Sequence, residues 1–127
     1  MRVFNPPQIA PPAATYSHGV EISPNARWLY VAGQVGTKPD GTLDAEIEGQ
    51  AEQAWRNILA TLEGAGMGVE HLVKVTSFLT RPQDIPAYAK VRDKYLGDKR
   101  PATTMVVVQA LARPVYLIEV EATAARD

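Results

Sequence analysis

Cysteine is absent from this sequence, which excludes a disulfide framework, a thiol nucleophile and a thiolate metal site. No run of apolar residues is long enough to cross a bilayer. Prolines interrupt the first residues, where a secretory signal needs an apolar segment. The formal net charge of −1 gives no general attraction for nucleic acid or anionic lipid. We therefore expect a cytoplasmic protein that enters no membrane and does not have nucleic acid as its default partner.

What the sequence does contain is sufficient for one hydrophobic core. The 127 residues are 46% hydrophobic and 21% charged, which is ordinary for a globular protein, and a chain of this length buries roughly two-thirds of its unfolded surface. Paired prolines at 6–7 and 11–12 favour an extended chain over a helix. The sequence therefore predicts an N-terminal arm over residues 1–14 and a single domain over residues 15–127.

Apolar periodicity predicts the element order ββαβαββ. The first two strands, 16–22 and 28–35, are joined by the turn residues 23–26 and are predicted to pair as a hairpin. Further strands are predicted over 72–79, after Pro101 and over 115–124, with a long β-branched run following the proline.

Two helices are predicted between these strands. Apolar residues at helical spacing indicate a helix over about 45–65 with Asp44 as its cap, and a second over 85–96 that follows Asp84. Two helices cannot cover both faces of a sheet with five or six strands, so we predict that both helices lie on one face. The other face needs a partner, which predicts a homo-oligomer with ligand clefts between subunits. Trp28 and Trp55 fall in apolar patterns and are expected in the core.

Few polar groups have a spacing that indicates chemistry. Glu119 and Glu121 share one face of the last strand, where carboxylates serve either as an acid or base or as an exposed surface and interface pair. The two histidines, His18 and His71, lie far apart in sequence, so no metal site is predicted.

Taken together, several segments resemble the RidA/YjgF family of reactive-intermediate deaminases. They are Tyr16-Ser17-His18-Gly19-Val20, Val31-Ala32-Gly33-Gln34-Val35, Ala51-Glu52-Gln53-Ala54 through Asn57-Ile58, Leu62-Glu63-Gly64-Ala65-Gly66, Val73-Lys74-Val75-Thr76, Arg100-Pro101-Ala102 and Ile118-Glu119-Val120-Glu121-Ala122. No single segment is specific, but their order and spacing extend over the whole chain after the arm.

The resemblance implies a chorismate-mutase-like α+β protomer with a mixed sheet, a homotrimer and three clefts between neighbouring subunits. It implies hydrolysis of 2-imino or 2-enamino acids to 2-oxo acids and ammonia, without metal or organic cofactor. It also implies that Glu119 orients or activates water as the catalytic residue, with Tyr16 and the Gly33 backbone beside the ligand. Met105 corresponds to a position whose backbone carbonyl helps to hold the water.

Three positions depart from the family pattern. Thr103 stands where active members carry an arginine for the substrate carboxylate, Ala32 where a serine is usual, and Arg92 where the second helix has a cleft asparagine. A bidentate guanidinium–carboxylate contact is worth roughly 1.5–3 kcal/mol and a neutral hydroxyl bond about 1. The threonine is therefore expected to weaken carboxylate binding by about tenfold to a hundredfold.

Arg92 has two interpretations. It either replaces the missing charge by reaching into the cleft, or it is a solvated residue of the helix surface beside other basic side chains, which is the more common state for arginine. The sequence accordingly favours a small-molecule cleft that hydrolyses a substrate other than a simple 2-imino acid. A true imino-acid deaminase using Arg92, a non-enzymatic ligand-binding trimer and, as a minor alternative, an endoribonuclease remain open.

Overall fold

The computed structural model covers residues 1–127, and its elements follow the predicted order with one strand added at the start. The strands are β1 (Arg2–Phe4), β2 (Gly19–Glu21), β3 (Arg27–Gln34), β4 (Leu72–Leu79), β5 (Ala102–Val107) and β6 (Ile118–Arg126), and the helices are α1 (Ile47–Gly64) and α2 (Ile85–Leu96). One-turn 3-10 helices at Val69–His71 and Pro82–Asp84 precede β4 and α2. The predicted bounds of β4 and of both helices are confirmed to within two residues.

The main sheet has four strands in the order β3-β6-β4-β5. β5 runs parallel to β4, and the other neighbours are antiparallel. A parallel pair needs a crossover connection, and α2 supplies it between β4 and β5. The predicted α+β fold with a mixed sheet is confirmed.

The predicted hairpin of the first two strands is wrong. β2 pairs with β1 in a separate two-stranded sheet, and β3 pairs with β6. The chain does turn between them, with the Ala26 amide donating to the Ser23 carbonyl at 3.2 Å. β6 is the better partner for β3, because its inward residues Val120 and Ala122 join Val31 in one buried layer. Val31 pairs with Ala122, which is too distant in the sequence for a local pattern to indicate the pairing.

Both helices pack on one face of the main sheet, as predicted. Trp55, Ile58 and Leu62 of α1 and Tyr88 of α2 lie in one core with the inward residues of the strands. Trp55 is fully buried, which confirms its predicted place. No helix is long and apolar enough to span a membrane.

The opposite face of the sheet is open within one chain. Trp28 is 47% exposed and Tyr30 is 78% exposed on β3, so the prediction that Trp28 lies in the core is wrong. Its position alternates with that of half-buried Leu29 and buried Val31, which turns its ring away from the helices. The open face is available to a partner, and the homotrimer stays a prediction.

The helix caps differ from the prediction in detail. α1 begins after Glu46 without a side-chain cap, and Asp44 instead accepts a hydrogen bond from Lys38 at 2.9 Å. Asp84 does occupy the N-cap position of α2. Its buried carboxylate accepts two hydrogen bonds from Arg81, at 2.7 and 3.0 Å, so it serves the preceding turn rather than the helix amides.

Candidate functional site

A β-bulge brings Gly33 against Glu119. Between β3 and β6 the register shifts after Val31, so that three residues of β3 span two of β6. A Cβ placed on Gly33 would lie 2.3 Å from the Glu119 Oε1 atom, well inside van der Waals contact. Only a glycine therefore allows the carboxylate to rest where it does.

The Glu119 carboxylate has no partner within the chain. The side chain is half-buried on the open face of the sheet, and no salt bridge or side-chain hydrogen bond engages it, in contrast to Glu52 or Asp84. An unengaged carboxylate at a partly desolvated position retains both oxygens for a water molecule or a ligand.

Ala32 lies beside this pair and lines a groove of ≈ 370 Å³ on the open face. The groove also contains Lys74 and Glu121, whose strands lie next to one another in the sheet. Lys74 donates to the Thr104 hydroxyl at 2.6 Å. Glu121 is exposed and has no ion-pair partner.

Tyr16 lies near the start of β5, at the edge of the main sheet. The Ser17 amide donates to the Pro101 carbonyl at 3.2 Å, which fixes the segment beside the strand. The half-buried Tyr16 ring makes an edge contact with the His18 ring at 5.6 Å between centroids. Its hydroxyl accepts a hydrogen bond from the Ala13 amide at 3.3 Å.

Thr103 and Met105 lie on the helix side of β5. Thr103 pairs with Val75, and Met105 pairs with Ser77, and both of these β4 residues are buried beneath the helices. Met105 packs against the core, while the hydroxyl of half-buried Thr103 makes no hydrogen bond within the chain.

Arg92 is 6% exposed, so the interpretation of a solvated surface residue is wrong. Its Nε donates to Asp93 at 3.0 Å, and Asp93 also accepts from the Thr15 hydroxyl at 2.7 Å. These bonds hold the end of α2 to the segment that leads into Tyr16. The terminal guanidinium nitrogens have no partner within the chain.

The path of α2 places Arg92 near Thr103. The helix runs opposite to β4 and β5, because it returns the chain between two parallel strands. The Tyr88 hydroxyl is bonded to Ser77 in the middle of β4, and Arg92 lies one turn later, toward the start of the strands. Burial and, to a smaller extent, the charge of Asp93 raise the pKa of the Tyr88 hydroxyl, and its hydrogen bonds with Ser77 and Trp55 and the positive charge of Arg92 oppose that rise.

The predicted residues thus fall into two groups within one chain. The Glu119 group is Ala32, Gly33 and Glu119 on the open face, and the β5-edge group is Tyr16, Arg92, Thr103 and Met105. Glu119 is opposite Phe78 on β4 and Thr103 is opposite Val75, so these two residues are separated by roughly 10 Å along the strands and roughly 10 Å across them. They also lie on opposite faces.

Ser17, His18 and Asp93 surround Tyr16 and Arg92 without having been predicted as site residues. The alternation of Tyr16, Ser17 and His18 was the available signal, since an extended segment directs its first and third side chains to one side. No group of three or more His, Asp or Glu side chains is arranged to hold a metal ion.

Comparisons with known proteins agree with this architecture. The sequence model of the endoribonuclease L-PSP family matches residues 7–126. A RutC family protein of Pyrococcus horikoshii is 32% identical over 118 residues, covering 91% of this chain and 90% of that protein. The crystal structure of the Rid family protein YyfB from Yersinia pestis matches with a TM-score of 0.87 and 33% identity, covering 98% of each chain.

A relative with a named activity is more distant. A 2-iminobutanoate/2-iminopropanoate deaminase of Dermatophagoides farinae is 27% identical over 114 residues, which cover 88% of this chain and 87% of that protein. Each of these matches extends over most of the chain.

The contact of Gly33 with Glu119 predicts a local effect of substitution. In Gly33→Ala the new methyl group would displace the carboxylate, which is the end of a flexible side chain, so we expect the melting temperature to change by less than about 3 °C. A crystal structure of the variant should show Glu119 in a different rotamer. The matched control is Gly19→Ala, whose Cβ would lie 3.6 Å from Phe4. An unmoved Glu119 would contradict the contact.

Proposed function

Because the chain belongs to the RidA/YjgF family, also called the endoribonuclease L-PSP or RutC family, we propose that it hydrolyses the C–N bond of a small imine or enamine. The reaction takes place in a cleft between two copies of the chain, assembled as a homotrimer. The observation that carries the proposal is the unengaged Glu119 carboxylate held against Gly33.

Glu119 acts as the general base in this proposal. Its carboxylate accepts a proton from water as the water oxygen bonds to the imine carbon, and it then returns a proton to the nitrogen. As the C–N bond of the tetrahedral adduct breaks, the proton of the new hydroxyl passes to the nitrogen, so that ammonia leaves and a carbonyl compound remains. Water and imine are consumed and ammonia and carbonyl are formed, so no cofactor is needed for the balance.

A second copy completes the site. The Glu119 group and the β5-edge group lie too far apart within one chain, and on opposite faces, to contact one small substrate. β5 is an edge strand, and the open face beside Glu119 carries exposed Trp28 and Tyr30. An assembly that covers this face with the β5 edge of a neighbour brings one group of each kind together.

The class of substrate depends on whether the cleft offers a group that binds a carboxylate. Thr103 alone offers one neutral hydroxyl and favours a substrate without a carboxylate. The burial of Arg92 next to the start of β5 favours the second candidate, a 2-imino acid whose carboxylate is bound by the free guanidinium nitrogens of Arg92. The deaminase activity named for the Dermatophagoides farinae relative agrees with this second candidate.

The catalytic proposal is tested by imine hydrolysis. An amino-acid oxidase generates 2-iminobutanoate in place, and its disappearance is followed with the parent chain and with Glu119→Gln. We expect turnover by the parent and a loss of about a hundredfold or more in the variant, because general base catalysis contributes that much. The matched control is Glu121→Gln, two residues along the same strand. Equal activity of both variants would contradict the catalytic role of Glu119, and a parent inactive on 2-iminobutanoate would exclude the 2-imino acid as its substrate.

The role of Arg92 is tested by Arg92→Met, which keeps the length of the buried stem but removes the charge. We expect kcat/KM for 2-iminobutanoate to fall by about tenfold to a hundredfold, the range of a charge-assisted bidentate contact. Lys90→Met, an exposed change on the same helix, is the control, and thermal unfolding checks that both variants fold. Undiminished kcat/KM would show that Arg92 does not bind the substrate carboxylate.

A further inference from the structure

The proline-rich part of the N-terminal arm, residues 5–14, is called the arm from here on, and its hydrogen bonds to the rest of the chain go to two residues, His18 and Tyr16. Asn5 accepts a hydrogen bond from the His18 amide at 2.9 Å, and the Ala10 carbonyl lies 2.8 Å from the His18 Nε2 atom. The Ala13 amide donates to the Tyr16 hydroxyl at 3.3 Å. Apart from half-buried Pro12, the arm is exposed, and it contains no helix or strand.

These hydrogen bonds determine where the protons of the His18 ring and the Tyr16 hydroxyl lie. A carbonyl only accepts, so the His18 Nε2 atom must carry the proton in its bond to Ala10. The Tyr16 oxygen accepts from Ala13, which leaves the hydroxyl proton free to be donated outward. The Tyr16 hydroxyl can therefore donate a hydrogen bond to an oxygen or nitrogen atom of a ligand bound at the β5-edge group.

His18 contacts both the arm and the tyrosine. Its ring meets the edge of the Tyr16 ring, while Ser17 between them is buried and bonded to Pro101. Paired prolines limit the conformations of the arm, so a single additional bond from His18 is enough to decide where Ala13 lies.

We propose that His18 is a positioning residue: it fastens the arm, and the arm holds the Tyr16 hydroxyl as a hydrogen-bond donor to the ligand. This inference rests on the proposed function in that Tyr16 faces the substrate. In this proposal residues 5–14 help to orient the substrate-binding hydroxyl of Tyr16, a role that neither the fold nor the chemistry of Glu119 requires.

The test compares His18→Phe with His18→Gln. Phenylalanine keeps a ring against Tyr16 but has no donor for Ala10, whereas the glutamine amide retains a donor at a similar reach. In His18→Phe we expect amide hydrogen exchange at Ala13 to accelerate by about tenfold and kcat for 2-iminobutanoate to fall by about three- to tenfold, the range of one neutral hydrogen bond. His18→Gln should restore both.

A double variant separates positioning from general destabilisation. In a Tyr16→Phe background, where no hydroxyl remains to be held, His18→Phe should cause no further loss of kcat. An equal loss in both backgrounds would overturn the proposal, as would unchanged exchange at Ala13 in His18→Phe. If the parent hydrolyses no imine, the proposed function fails, and exchange at Ala13 in His18→Phe and Tyr16→Phe alone then decides whether His18 fastens the arm.

Discussion

The pairing of β4 with β5 on one side and β6 on the other determines where the candidate site residues lie. Side chains alternate along a strand, so a shift of one residue would turn each of them to the other face. With Val75 opposite Thr103 and Phe78 opposite Glu119, the threonine lies on the helix side and the carboxylate faces the open side. The candidate site residues are therefore divided between the two faces of the sheet within one chain.

Local sequence patterns were enough for the elements whose faces are set by burial. β4 alternates buried and half-buried residues along its whole length, and both helices carry an apolar face toward the sheet, so their bounds were predicted closely. The α+β fold and the membership of the RidA/YjgF family are likewise confirmed. The pairing of β2 and β3 failed because adjacency in sequence favours a hairpin, whereas β3 gains more buried surface against the distant β6.

The candidate site was predictable from the sequence only in part. Glu119 and Gly33 were expected near one ligand from the resemblance, and the bulge in β3 provides their contact, although no sequence pattern indicates a bulge at this point. The sequence leaves two positions open for Arg92, in the cleft or on the solvated helix surface, and favours the second because arginine is rarely buried, whereas the structure buries it. Its neighbours explain the difference, since Asp93 and Thr15 come together only through the tertiary fold.

The role of His18 was also not predictable from the sequence. A lone histidine carries no metal signal, and its sequence neighbours are small or apolar. Its bonds to the arm depend on how residues 5–14 return along the surface, which the prolines restrict but do not specify. Exposed segments of this kind are set by a few side-chain bonds rather than by periodicity.

The most direct test of a cleft shared between copies is complementation between two inactive variants. Glu119→Gln and Arg92→Met, carrying different affinity tags, are co-expressed and the mixed oligomers are isolated and assayed for imine hydrolysis. A cleft shared between copies predicts that mixed oligomers recover roughly a third of the parent's activity, because each mixed ring of a cyclic trimer contains one intact cleft out of three, far above either variant alone. Mixed oligomers no more active than the average of the two variants would contradict a site built from two copies.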